Sequence, residues 1–140
     1  MNPVAERRIV VAGSRGMVGA AVVRRLHGSA ENHVVGLSRA DVDFRDRPGV
    51  FARIAALKPD VLVIAAAKVG GIEANRTQPV AFLAENLDIE LNLIGAAHAA
   101  DVAQVVFLGS SCIYPKFAEQ PIREESLLTG ALEPTNEAYA

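Results

Sequence analysis

Tryptophan is absent from this sequence, cysteine occurs once, and aromatic residues make up only 5% of the 140 positions. Scarce aromatics set against abundant Ala, Val, Ile and Leu favour buried parallel strands covered by helices over a β-sandwich. The single cysteine, Cys112, excludes an internal disulfide, and one thiol does not make a metal site, so no metal is expected. A reducing, cytoplasmic setting is the default that follows. Long apolar runs are also missing: the longest, Val61 to Ala67, falls far short of a membrane span. Behind the basic N-terminal stretch Met1 to Arg8, the apolar run Ile9 to Ala12 is too short for a secretory leader. Net charge is −2, and no stripe of Lys and Arg with interleaved aromatics appears, which argues against nucleic-acid binding. Neither a membrane nor a nucleic acid is therefore an expected partner.

What is present is a chain of one-domain length, 51% hydrophobic, with enough apolar mass for a real core. Ile9 to Ala12 is a short β-branched run that reads as a buried first strand. Met17 to Leu26 places Val18, Val22, Val23 and Leu26 at helical spacing, with Gly28 beyond as a stop. His33 to Leu37 reads as a second strand. Arg47 to Leu57 reads as a helix with Val50, Phe51, Ile54 and Leu57 on one face and Pro48 in its first turn. Val61 to Ala67 is a third strand, continuously apolar and so covered on both faces. A long helix is expected from Pro79 to Ala100, with Phe82, Leu83, Leu87, Leu91, Ile94 and Ala97 in register. Val105 to Gly109 is the fourth strand. From Ser110 the chain turns polar, with Pro115, Pro121 and Pro134, and reads as a long functional loop. This alternation predicts an α/β fold, a Rossmann-type doubly wound parallel sheet with right-handed crossovers. Stopping after a fourth strand leaves an apolar edge uncovered, so residues 1–140 are expected to be the N-terminal portion of an NAD(P)-binding domain.

Between the first strand and the first helix lies Gly13-Ser14-Arg15-Gly16-Met17-Val18-Gly19. Gly13 lets the chain leave the strand in a tight turn, Gly16 lets backbone approach phosphate oxygens, and Gly19 permits close helix–strand packing. Amides at the helix start, aided by its dipole, then face a pyrophosphate. A tight turn without ligand would use the same glycines, but the strand–turn–helix position is the context that a dinucleotide requires. After the second strand, NAD-binding proteins carry an acidic residue for the ribose 2′-hydroxyl. Here the residues are Leu37-Ser38-Arg39, and Arg15 lies within the turn. Each arginine alone reads as an ordinary solvated charge; together they favour the 2′-phosphate of NADP. Asp41 and Asp43 keep NAD as the alternative, and Asp43, with Phe44, is placed to approach an adenine.

The GxxGxxG spacing resembles short-chain dehydrogenases/reductases of the extended type. Gly109-Ser110-Ser111-Cys112-Ile113-Tyr114-Pro115-Lys116 follows the fourth strand, where ligands bind in such sheets, and Tyr139 comes about thirty residues after Ser110. With Ala65-Ala66-Ala67-Lys68-Val69-Gly70-Gly71-Ile72 and Leu132-Glu133-Pro134-Thr135-Asn136-Glu137-Ala138-Tyr139, these blocks resemble the GDP-L-fucose synthase family, over only the front part of that family's chain. Members convert GDP-4-keto-6-deoxy-D-mannose to GDP-L-fucose, epimerising C3 and C5 and then reducing the C4 ketone with NADPH.

The resemblance implies that Ser110 holds the C4 oxygen, that Tyr139 gives it a proton, and that Cys112 is an acid/base in epimerisation. It also implies a cofactor set of Gly13 to Gly19, Arg39, Asp43 and Ala65 to Ala67, a GDP-sugar substrate and a homodimer. The family's Lys four positions after the tyrosine would fall beyond Ala140, so the 140-residue chain by itself is expected to be inactive. Two other readings stay open. One is another nucleotide-sugar epimerase or dehydratase holding NAD; the other is a non-catalytic dinucleotide-binding module. His27, His33 and His98 read as structural, Tyr114 as packed in its loop, and Lys68 equally as a ligand contact or a solvated charge.

Overall fold

The computed structural model describes residues 6–140. Residues 1–5, part of the basic stretch weighed above as a leader, lie outside the described residues. In chain order the elements are β1 (Arg7–Ala12), α1 (Met17–His27), β2 (Asn32–Leu37), α2 (Arg47–Leu57), β3 (Val61–Ile64), α3 (Ile72–Thr77), α4 (Pro79–Ala99) and β4 (Gln104–Phe107). Two short 3₁₀ turns, Ser111–Ile113 and Glu124–Ser126, interrupt the polar stretch after β4. No described helix is long and apolar enough to cross a membrane.

All strand pairs are parallel, in the order β2-β1-β3-β4. The pleat divides the apolar residues between two faces, as a period of two demands. Val10, Ala12, Leu37, Leu62 and Ile64 face Val50 and Ile54 of α2 and Ile89, Leu93, Ala96 and Ala97 of α4. Ile9, Val11, Val34, Val61 and Val63 face the other way, toward Val22, Val23 and Leu26 of α1. Helices on both faces of a parallel sheet make the doubly wound arrangement expected from the sequence.

Three expectations need correction. The expected third strand ends early: pairing stops at Ile64, after one further bond from the Ala65 N–H to the Ala12 carbonyl at 2.9 Å. Ala65 to Ala67 therefore run as irregular backbone past the end of the sheet. Helix α3 was not foreseen, since its six residues, Ile72–Thr77, are too few to show a period. In α4, Leu83, Leu87, Leu91 and Ile94 are 45–62% exposed, while Ile89, Leu93, Ala96 and Ala97 face the sheet. The helix carries apolar residues around most of its circumference, and both stripes have helical spacing. Of the six residues expected in register, Phe82 and Ala97 are buried, and the other four belong to the outer stripe.

The chain divides into two compact units, one formed by residues up to Ala67 together with Leu87–Leu108, the other by Lys68–Asn86 and Gly109–Ala140. The first holds the sheet. The second holds α3, the start of α4 and the polar stretch.

Candidate functional site

In the first unit the glycine turn is fastened to two strands. The N–H groups of Gly13 and Ser14 both donate to the Leu37 carbonyl, each at 2.9 Å. Gly13 has φ +87°, and a Cβ there would lie 2.6 Å from the Ala65 carbonyl oxygen. Both facts restrict the position to glycine. A Cβ on Gly19 would collide with the Gly13 carbonyl, so α1 starts directly against the turn. Ser14 turns its side chain toward β2, where a Cβ on Gly36 would meet it at 2.7 Å.

At the start of α1 the first intrahelical bond runs from the Ala20 N–H to the Gly16 carbonyl at 2.9 Å, and no side chain caps the helix. The N–H groups of Met17, Val18 and Gly19 thus precede that ladder and are available to an acceptor. The side chain of Met17 is 89% exposed and that of Val18 about half-exposed.

Above the turn lies a cleft of about 320 Å³. Gly13, Arg15 and Gly16 line one side, Ser38, Arg39 and Ala40 another, and Ala65, Ala66 and Ala67 a third, with Phe44 and Ile89 as apolar lining. Three segments far apart in sequence, each named above as a cofactor candidate, therefore meet on one cavity. Ser38, Ala40, Phe44 and Ile89 complete it. No acidic side chain is among its lining residues.

The two carboxylates after β2 are otherwise engaged. Asp41 accepts from the N–H and the hydroxyl of Ser38, at 2.8 and 2.7 Å, closing the turn that follows the strand. Those bonds, aided by the charges of Arg15 and Arg53, hold its carboxyl below the usual range. Asp43 accepts from the Arg45 backbone at 3.0 Å and from its guanidinium at 3.1 and 2.8 Å. That grip lowers its carboxyl to about 2, with a further Coulombic contribution from Arg39. Asp43 lines a separate, shallow concavity with Asp46 and Arg53, not the main cleft.

The three candidate catalytic residues all lie in the second unit. Ser110 precedes the turn Ser111–Ile113, and its hydroxyl oxygen accepts from the Cys112 N–H at 3.2 Å. The Cys112 thiol is partly buried, and Asn136 donates its side-chain N–H to the sulfur at 3.7 Å. Tyr139 packs edge-on against Phe82, with ring centres 6.5 Å apart and planes at 83°. Its N–H donates to the Asn136 carbonyl at 3.0 Å. Lys68 is committed to an ion pair with Glu85 at 2.6 Å and lies over the Phe82 ring at 5.5 Å. Asn86 clamps the Lys68 backbone, accepting from its N–H at 2.7 Å and donating to its carbonyl at 3.1 Å. The segment leading to Tyr139 is tied down by a Lys116–Glu133 pair at 2.7 Å, which lowers the Glu133 carboxyl.

Asn136 and Asn86 were not singled out from the sequence. Asn86 gives a signal that was passed over, an amide inside an otherwise apolar helical stretch. Asn136 gives none, because its partner lies 24 positions away. Among the described residues there is no group of three or more His, Cys, Asp or Glu able to hold a metal ion.

Residues 9–140 match the NAD dependent epimerase/dehydratase family. GDP-L-fucose synthase of Escherichia coli is 48% identical over 135 residues, which are 96% of this chain and 42% of that one. GDP-L-fucose synthase 1 of Arabidopsis thaliana is 49% identical over 133 residues, 95% of this chain and 41% of that protein. A crystal structure of a GDP-L-fucose synthetase from Naegleria fowleri bound to NADP superposes with a TM-score of 0.86 at 27% identity, covering 99% of this chain and 42% of that chain. The chain thus spans about two fifths of the length of the relatives it matches.

Proposed function

Because the chain belongs to the NAD dependent epimerase/dehydratase family, we propose that residues 1–140 are the NADP-binding portion of an epimerase-reductase that turns GDP-4-keto-6-deoxy-D-mannose into GDP-L-fucose. The observation that carries this reading is the cleft, in which a glycine turn and two arginines meet without an acidic lining residue. Its residues suit the cofactor. At Gly13 a Cβ would fill the cradle, the open N–H groups at the start of α1 suit pyrophosphate oxygens, and Arg15 and Arg39 suit a 2′-phosphate. Phe44 and Ile89 offer an apolar wall, and Ala65 to Ala67 leave room for a flat ligand to lie against backbone.

NADPH, when bound, supplies the hydride for C4. The chain's own groups handle protons. Cys112 removes or returns the proton on one face of a carbon next to the ketone: the C–H pair becomes the carbon–carbon π bond of an enolate as the carbonyl π pair moves onto the C4 oxygen, and a histidine that the resemblance places beyond residue 140 serves the opposite face. Ser110 holds that oxygen, and Tyr139 gives it the proton that completes reduction. Holding one oxygen serves both steps, since an enolate and an alkoxide place their charge on the same atom. The same reading makes the protein a cytoplasmic homodimer, with the exposed Leu83, Leu87, Leu91 and Ile94 of α4 as its contact stripe.

A chimera tests the reading, with these residues replacing the matching segment of the E. coli enzyme. It should oxidise NADPH with GDP-4-keto-6-deoxymannose, and Tyr139→Phe should abolish that oxidation while leaving NADPH binding intact. Full oxidation by the Tyr139→Phe chimera would remove the tyrosine from the reaction.

A further inference from the structure

Asn136 touches both ends of the proposed proton chemistry. Its side-chain N–H donates to the Cys112 sulfur at 3.7 Å. Its carbonyl accepts from the N–H groups of Tyr139 and Ala140 at 3.0 and 2.9 Å, and its own N–H donates to the Glu133 carbonyl at 3.0 Å. Glu133 is in turn fixed by Lys116 at 2.7 Å. The residue is thus held in a closed turn whose backbone carries Tyr139 and whose side chain reaches Cys112.

We infer that Asn136 is a positioning residue that aims the Cys112 sulfur, in register with the turn that carries Tyr139. The inference rests on the reading of Cys112 as the epimerising acid/base. The chemistry asks for such a donor. A sulfur that takes a proton from carbon must be present as thiolate, and thiolates form where a positive charge or a donor faces the sulfur. Among the hydrogen bonds of the described residues, Asn136 supplies the donor to that sulfur. On the backbone side, the Cys112 N–H is already bound to Ser110 at 3.2 Å. Cys112 is therefore held from two directions, at its main-chain N–H by the Ser110 hydroxyl and at its sulfur by Asn136. An amide suits the position because it donates without adding a full charge that would pair permanently with the thiolate.

The side chain can be replaced without removing the carbonyl that Tyr139 uses, so the two roles separate experimentally. Cys112 is the one cysteine of the chain, so alkylation by iodoacetamide reports on it alone. At a fixed pH near neutrality, Asn136→Leu should slow alkylation roughly 3- to 10-fold, the effect of losing one ordinary hydrogen bond. Asn136→Asp, which has the same shape but places an anion beside the sulfur, should slow it further. NADPH binding, which belongs to the glycine turn, should be unchanged in both. Were Asn136 only a packing residue, the Asp variant would match the parent chain and Leu would be the worse of the two. That ranking, or equal rates in all three proteins, would overturn the inference. Should Asn136→Leu fail to fold, Asn136→Asp against the parent decides alone. The underlying reading fails separately, if a Cys112→Ser chimera still exchanges solvent deuterium into C3 and C5 at the normal rate.

Discussion

Asp43, expected from the sequence at the adenine end, is engaged by a neighbour. Its position after β2 is where a ribose-binding carboxylate belongs, yet Arg45, two residues on, folds back onto it through three hydrogen bonds. With its carboxyl lowered from 3.8 to about 2, the folded state holds its proton less tightly than the unfolded chain does. The stabilisation is therefore complete above about pH 4 and fades as pH falls through about 2. Both side chains are about half exposed, at 52% and 48%, so solvent screening keeps the effect small. Asp43→Asn should cost less than about 1 kcal/mol near neutral pH. Urea unfolding of the two proteins should give midpoints that converge between pH 4 and pH 2. A gap that widens toward acid would contradict the assignment. Asp41 was equally ambiguous in sequence, and Ser38 resolves it the same way. What was legible at this scale were residues whose chemistry does not depend on distant partners: the glycines, the arginines, the lone thiol. Asn136 was illegible for the opposite reason, since its significance lies in a sulfur 24 positions away.

Helix α4 is where element-scale reading met its limit. Its start, length and end were plain from composition and from Pro79. Its buried face was not, because two apolar stripes of helical spacing share one cylinder. The sheet decides between them: Ile89 and Leu93 reach Val10, Leu62 and Ile64, whereas Leu91 stays 62% exposed. The two stripes should answer differently to truncation. Leu93→Ala removes a side chain with no exposed surface and should cost about 2–5 kcal/mol. Measured on the monomeric chain, Leu91→Ala should change the unfolding free energy by less than about 1 kcal/mol. Denaturant titration compares them directly, and equal losses would mean that the faces are wrongly assigned. The strands were easier, since β-branched runs between turn signals have few alternatives. The end of β3 was missed because alanines past Ile64 continue the apolar run while the ladder has already stopped. That early stop has a use: it frees Ala65 to Ala67 to line the cleft.

At the scale of the whole molecule, the four-stranded parallel sheet and its paired helix layers were predictable from the order of apolar runs. The cleft was predictable in its three segments and in Phe44, but not in its volume or in Ile89, which reaches it from α4 only through tertiary packing. All of its lining belongs to the first compact unit, while Ser110, Cys112 and Tyr139 belong to the second. The cofactor cleft and the proposed proton chemistry can thus be tested separately. The proposal stands most directly on cofactor choice. Fluorimetric titration of the chain with NADPH and with NADH, repeated on Arg39→Asp, tests it. NADPH should bind more tightly to the parent chain, and the substitution should weaken NADPH by roughly 10- to 100-fold, the scale of losing a charge-assisted contact, while sparing NADH. Equal binding of the two nucleotides by the parent chain, or an Arg39→Asp variant that keeps its preference for NADPH, would contradict the assignment of this cleft to NADP.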